Sequence, residues 1–202
     1  MMSNKKYKSV VFCGFVASGK TTIAKNIAKI FNLEYICAGD LLKEMINKAN
    51  KKNKNIEKND FWETKQGFAF FKERQNKDEF DRKLDKLLLD LVEQRPVSLT
   101  SWTLPYLNCN AVKIFIKVKE EDRIRRMAER DNISYEDSKK LLKKRDNQNK
   151  KIYKKLYGFE LGNENVFDFI LNTQNNIQDD IKLVEFFLND ISIKFRKEHY
   201  VR

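Results

Sequence analysis

The sequence predicts an α/β fold in which a five-stranded parallel sheet is covered by helices on both faces, and two observations carry the prediction. Five short, β-rich apolar runs alternate with longer stretches whose apolar residues recur at helical spacing. The first run also breaks directly into a glycine loop and then a helix, the order expected of a parallel sheet with right-handed crossovers.

Lys8–Cys13 (KSVVFC) reads as the first strand, and Thr21–Phe31 as a helix with Ile23, Ala24, Ile27, Ala28 and Ile30 at helical spacing. Glu34–Cys37 is a second strand that leads into Gly39 and Asp40, the latter suited to cap a helix carrying Leu41, Leu42, Met45 and Ile46. Asn47–Asp60 is rich in lysine and asparagine and reads as a surface connection. Phe61–Arg74 and Glu79–Leu91 follow as helices, the second with Phe80, Leu84, Leu87, Leu88 and Leu91 on one face. Pro96 opens a third strand (PVSLTSW) and Ala111–Val118 (AVKIFIKV) is a fourth. Glu120–Asp131 and Ser134–Tyr157 are expected to be arginine- and lysine-rich helices joined by a turn at Asn132. Ser134 and Asp137 resemble a capping box with Asp where Glu or Gln is usual. Val166–Leu171 (VFDFIL) is the fifth strand, and Ile177–Phe195 a closing helix.

The chain of 202 residues, 41% of them hydrophobic, suits a single domain spanning 1–202 with a sizeable core. It contains no apolar run of the roughly 18 residues a membrane helix needs, and its lysine-dotted start lacks the apolar core of a signal peptide. A soluble, cytoplasmic monomer with no membrane partner is expected. Cys13, Cys37 and Cys109 stand singly in apolar surroundings, which excludes a disulfide framework or a zinc spacing and marks them as small core residues. The one histidine, His199, rules out chemistry built on several imidazoles. A net charge of +12 is compatible with nucleic-acid binding, but the lysines are interspersed with Glu and Asp along amphipathic helices, the pattern of a solvated surface.

Gly14–Thr21 (GFVASGKT) satisfies G-x-x-x-x-G-K-[ST] between a strand and a helix, the context that makes this motif a P-loop. The loop must turn backbone N–H groups around a β-phosphate, and Gly14 and Gly19 supply the necessary freedom. Gly14, Phe15, Val16, Ala17, Ser18, Gly19, Lys20, Thr21 and Thr22 are therefore the candidate ATP-binding residues. Lys20 places a compact positive charge on the β- and γ-phosphates, and the Thr21 hydroxyl is the candidate Mg²⁺ ligand. The fold expected is a P-loop NTPase three-layer sandwich. Arg123, Arg126 and Arg130 share one helix face and Arg145 lies on the next helix, where charge can meet the transferring phosphoryl group. Lys20, Arg126, Arg130 and Arg145 are the candidate catalytic residues.

With these residues in view, the chain resembles the archaeal-type cytidylate kinases, a small branch of the nucleoside monophosphate kinases. The resemblance rests on the P-loop with ICAGDLLKEM, on FDRKLD at 80–85, and on the stretch from Asp122 to Leu161 followed by VFDFILNT. It implies an acceptor-binding region over about 38–95, an arginine-rich lid over about 130–160, and contact of Asp40, Lys43, Asp81, Arg82 and Asp85 with the acceptor. The polar face of an amphipathic helix is an equal account of Asp81 and Asp85. Thr100, Ser101 and Trp102 stand where the family carries an acidic-Gly-Arg segment, and Ile152 where it has a lid arginine. The implied pocket is thus rearranged, with Phe61, Trp62 or Trp102 available to stack on a base.

The reaction expected is ATP- and Mg²⁺-dependent phosphorylation of CMP or dCMP to the diphosphate. The alternatives are a kinase of another nucleoside monophosphate or small acceptor, an ATP-binding module without catalysis, and a basic ATP-binding protein acting on RNA or ribosomal partners.

Overall fold

A computed structural model describes residues 7–49, 67, 78–173 and 176–191, with the side chains of 47 and 49 excepted. The first strand, β1 (Val10–Cys13), runs into the glycine loop and α1 (Lys20–Ile30), and β2 (Glu34–Cys37) passes without a break into α2 (Ala38–Ala49). After α3 (Glu79–Gln94) come β3 (Val97–Thr100), a 3₁₀ turn at Leu104–Tyr106 and β4 (Val112–Lys117). The remainder is α4 (Glu120–Asp131), α5 (Tyr135–Tyr157), a 3₁₀ turn at Glu164–Val166, β5 (Phe169–Asn172) and α6 (Ile177–Ile191).

The five strands pair in parallel in the order β2-β3-β1-β4-β5. Because successive side chains of a strand point to opposite faces, Val11 joins one core with Leu99, Leu42, Leu84 and Leu88, beneath α2 and α3. Val10 and Phe12 join the other with Ile23, Ile27, Ile114, Val184 and Leu188, beneath α1 and α6. A strand buried on both faces has to be apolar throughout, which is why VVFC shows no alternation. All strands point the same way, so the loops that carry chemistry gather at their C-terminal edge, on either side of the order reversal at β1. Among the described residues, no helix is long and apolar enough to cross a membrane.

Two expected boundaries are corrected. Asp40 does not cap α2: the helix starts at Ala38, and Asp40 sits in its first turn, where a carboxylate still favours the positive helix end. The fifth strand starts at Phe169, not Val166. Asn163 caps a short 3₁₀ turn through Asn165 N–H (3.2 Å), and the Asp168 carboxylate takes the Lys113 amide (2.7 Å) before the ladder begins. The expected cap of α5 is present, with Ser134 Oγ accepting from Asp137 N–H at 3.1 Å. The helix expected over Phe61–Arg74 (Gly67 apart), the stacking residues Phe61 and Trp62, the connection beyond Ala49 and the chain from residue 192 on, His199 included, lie outside the described residues.

Candidate functional site

The glycine loop is shaped by close approach. A Cβ on Gly14 would lie 2.7 Å from the Ile116 carbonyl oxygen and 2.8 Å from Ser18 Oγ, at a φ of +152°. Ala17 adopts the left-handed region (φ +59°), which costs a non-glycine residue about 1–3 kcal/mol and persists only where surrounding structure enforces it.

That enforcement comes from two distant helices. Val16 N–H donates to Asp146 Oδ1 of α5 (3.2 Å), and Val16 C=O accepts from Arg123 Nη1 of α4 (3.2 Å). Arg123 and Asp146 close the triangle with an ion pair at 2.7 Å, and the two residues are 7% and 6% exposed. Two helices thus pin one residue of the loop at both its backbone polar groups. Val16, Ile124, Met127 and Leu142 pack around the joint. Such buried pairs depend on hydrogen bonding to offset desolvation, and here the guanidinium and the carboxylate serve the same backbone residue, with Arg123 Nε buried and without a hydrogen-bond partner among the described residues.

Lys20 Nζ donates to Phe15 C=O (2.8 Å) and Ser18 Oγ (3.3 Å), and lies 5.2 Å from the Trp102 ring centroid. Burial lowers its ammonium pKa to about 8, with Arg145 pushing the same way and Cys13, Asp146 and Cys37 opposing. Arg145 therefore bears on the loop lysine. Arg126 Nη1 donates to Ser18 C=O at 3.4 Å. Arg130 faces solvent and clasps Asp131 at 2.5 and 2.7 Å, so Lys20 and Arg126 meet at the loop, Arg145 is felt there through its charge, and Arg130 stands off. Thr21 and Thr22 are exposed in the first turn of α1. The described residues hold no group of three His, Cys, Asp or Glu that could enclose a metal ion. The Thr21 hydroxyl is an oxygen donor of the kind Mg²⁺ accepts, since that ion keeps several waters and is normally held through one or two protein oxygens and substrate phosphates.

Phe15 anchors an aromatic layer over the loop. Its ring meets Trp102 and Phe115 edge-on at 6.1 and 6.0 Å. Gly162 lies flat against it: a Cβ there would stand 2.9 Å from Phe15 Cζ, at a φ of +99°. Cys13 is buried beside Trp102 C=O (3.7 Å) and burial pushes its thiol up to about 12, as expected of an inert core cysteine. Cys109 is buried too, whereas Cys37 is only partly so.

On the other side of the crevice the acceptor candidates divide. Asp40 and Lys43 pair at 2.6 Å, the lysine side chain 12% exposed and the aspartate 61%. Arg82 is exposed, pairs with Asp78 at 2.7 Å and lies 5.7 Å from the Tyr157 ring centroid. Asp81 and Asp85 are buried, 2% and 4% exposed, one turn apart on α3. Asp85 accepts from Thr103 Oγ1 through one carboxylate oxygen and from the Tyr157 hydroxyl through the other. Burial, the bond to Asp85 and the charges of Asp85 and Asp81 all raise the Tyr157 pKa, so its hydroxyl remains a donor. Reading the sequence did not single out Asp146; Trp102, read as able to stack on a base, instead packs beside Lys20 and Phe15, and the Thr103 hydroxyl is committed to Asp85. The available signal was an acidic residue beside Arg145 within a cationic helix.

The profile of the cytidylate kinase-like family matches residues 12–175. A cytidylate kinase of Pyrobaculum calidifontis is 28% identical over 195 residues, covering 93% of this chain and 97% of the relative. A cytidylate kinase of Pyrococcus horikoshii is 27% identical over 165 residues, 81% of this chain and 79% of the relative. Among solved structures, shikimate kinase from Bacteroides thetaiotaomicron superposes with a TM-score of 0.58 at 14% identity, covering 91% of this chain and 99% of that one, which shows the shared P-loop kinase fold.

Proposed function

We propose, from the premise that this chain belongs to the cytidylate kinase-like family, that it transfers the γ-phosphoryl group of ATP to CMP or dCMP, giving CDP or dCDP. The observation that carries the reading is the Val16–Arg123–Asp146 joint: two helices hold a strained phosphate loop in shape from behind, while Arg126 approaches it alongside Lys20.

ATP with Mg²⁺ would supply the transferable phosphoryl group and its charge-neutralising metal, and the chain's own residues position and stabilise. Gly14–Thr22 would enclose the phosphates, the Thr21 hydroxyl would be a ligand of the metal, and Lys20 would give up its bonds to Phe15 C=O and Ser18 Oγ to neutralise phosphate charge. Arg126 and Arg145 meet charge that grows during transfer, so they act on the transition state more than on binding. Arg130, bonded to Asp131 through Nε and Nη2, would have to swing in from solvent to join them. Lys43 and Arg82 are the cations offered to the acceptor phosphate, with Asp40 orienting Lys43. The carboxylates of Asp81 and Asp85 suit a base presenting an exocyclic amine, as cytosine does.

The deciding experiment is a coupled ADP-release assay over CMP, dCMP, UMP, AMP and GMP at equal concentration. CMP and dCMP are expected to be fastest and AMP and GMP poor. Faster turnover of AMP or GMP would move the assignment to another acceptor, which Trp102 at the end of β3, in place of a phosphate-binding arginine, would favour. Tight RNA binding at physiological salt without monophosphate turnover would replace the reading with that of a basic ATP-binding protein.

A further inference from the structure

We propose that Tyr157 is a positioning residue for phosphoryl transfer: its hydroxyl pins the C-terminal end of α5 to the acceptor-side helix α3, making α5 a strut fixed at both rims of the crevice. The inference rests on the kinase reading above.

Near its middle α5 is held at the nucleotide side, where Asp146 takes Val16 N–H and the Arg123 guanidinium. Eleven residues later, about 16 Å along the helix axis, its last residue donates to Asp85. The receiving carboxylate is buried and already oriented. Thr103 donates its hydroxyl proton to Asp85, so the hydrogen bond between Ser101 Oγ and Thr103 Oγ1 (3.2 Å) must be donated by Ser101. Ser101 Oγ in turn accepts from the N–H groups of Thr103 and Leu104, both at 3.2 Å. Every proton in this chain points toward Asp85. The loop after β3 thereby presets the carboxylate, and Tyr157 is the donor supplied from the other side of the crevice.

The Tyr157 ring is separately seated. It stacks on Phe159 at 5.7 Å and 6°, and the Arg82 guanidinium lies 5.7 Å from its centroid. Removing the hydroxyl alone therefore leaves the packing in place and tests the pin. With the pin intact, the separation between the phosphate loop and α3 is set by a rigid helix. Without it, packing alone holds the acceptor end of α5, so that end opens more often, water reaches the γ-phosphate, and part of the transfer is lost to hydrolysis.

The test compares wild type, Tyr157→Phe and, as a control at the exposed start of the same helix, Tyr135→Phe. Amide hydrogen exchange of the ligand-free protein over residues 150–158 is expected to speed up about tenfold in Tyr157→Phe only, with α1 and β1 unchanged. In steady-state kinetics Tyr157→Phe should lower kcat with CMP about tenfold, leave KM for ATP within about twofold, and raise the ADP formed per CDP above one. Unchanged exchange overturns the proposal, and so does faster exchange with kcat and ADP:CDP stoichiometry intact. If wild type phosphorylates no monophosphate, the kinase reading fails, and the exchange arm alone still decides whether Tyr157 pins α5.

Discussion

The two sides of the crevice are built from opposite kinds of polar contact. On the nucleotide side, Val16 meets Asp146, 130 positions away in sequence, and Arg123 joins them out of water. On the acceptor side, Asp40–Lys43 and Asp78–Arg82 are pairs one helical turn apart with at least one partner well exposed. Asp78–Arg82 is exposed on both sides and Asp40 is exposed beside a largely buried Lys43, so water screens these pairs and either can exchange its partner at little cost. The phosphate loop is locked by the fold, whereas Lys43 and Arg82, the cations proposed for the acceptor phosphate, rest on local partners a ligand can displace; Asp85, buried and held by Thr103 and Tyr157, is the exception on that side.

The comparison is tested hardest at the loop. Lys20→Ala should lower kcat by about a thousandfold or more with the fold intact, because the hydrogen bonds given for the Lys20 amine stay within its own loop and its further contact is with the face of Trp102; residual turnover and a thermal melt measure the two. Asp146→Ala should cost about 3–5 kcal/mol of stability by stranding the Arg123 charge in the interior, read as a lower denaturant midpoint. An equally stable Asp146→Ala protein would mean the nucleotide side is no more firmly built than the acceptor side.

Substitutions at the acceptor side should act on KM instead. Lys43→Ala and Arg82→Ala are each expected to raise KM for CMP about ten- to hundredfold, the worth of a charged hydrogen bond, with KM for ATP nearly unchanged. Among the candidate catalytic arginines of α4 and α5, Arg126→Ala and Arg145→Ala should lower kcat more than they raise KM for ATP, and Arg130→Ala should do so least, since Arg130 already has Asp131 as a partner. Equal losses at all three positions would place Arg130 inside the site during turnover. The smallest expected effect is that of pH. Lys20 in the ligand-free protein titrates at about 8, so its charge is full below that value and lost above it. Accordingly kcat/KM for ATP should fall about tenfold per unit above pH 8, while kcat holds to higher pH because bound phosphate favours the ammonium.

How much of this was legible in the sequence follows the same divide. The phosphate loop is written in consecutive residues with fixed spacing, and the helices around it carry apolar periodicity, so Gly14–Thr22, the parallel sheet and the ends of α4 could be read directly. Asp146 could not, because its role needs α5 laid across α4 and over the loop, a relation no local pattern encodes. Asp85 illustrates the converse: its place on a polar helix face was evident, but its bonds to Thr103 and Tyr157 join three elements scattered over more than seventy residues. The false start of β5 at Val166 has a local cause, since an apolar pair before Asp168 mimics a strand while the Asn163 cap winds those residues into a turn.

Gly162, flat against Phe15, carries a consequence for genetics. It touches no substrate group in the proposed mechanism, yet any side chain there must push against the ring that roofs the phosphate loop, at a backbone angle L-residues seldom adopt. In a selection for growth that depends on this enzyme, position 162 would score with Lys20 among the intolerant sites. An alanine there would identify itself as a lesion of the nucleotide pocket transmitted through a phenyl ring.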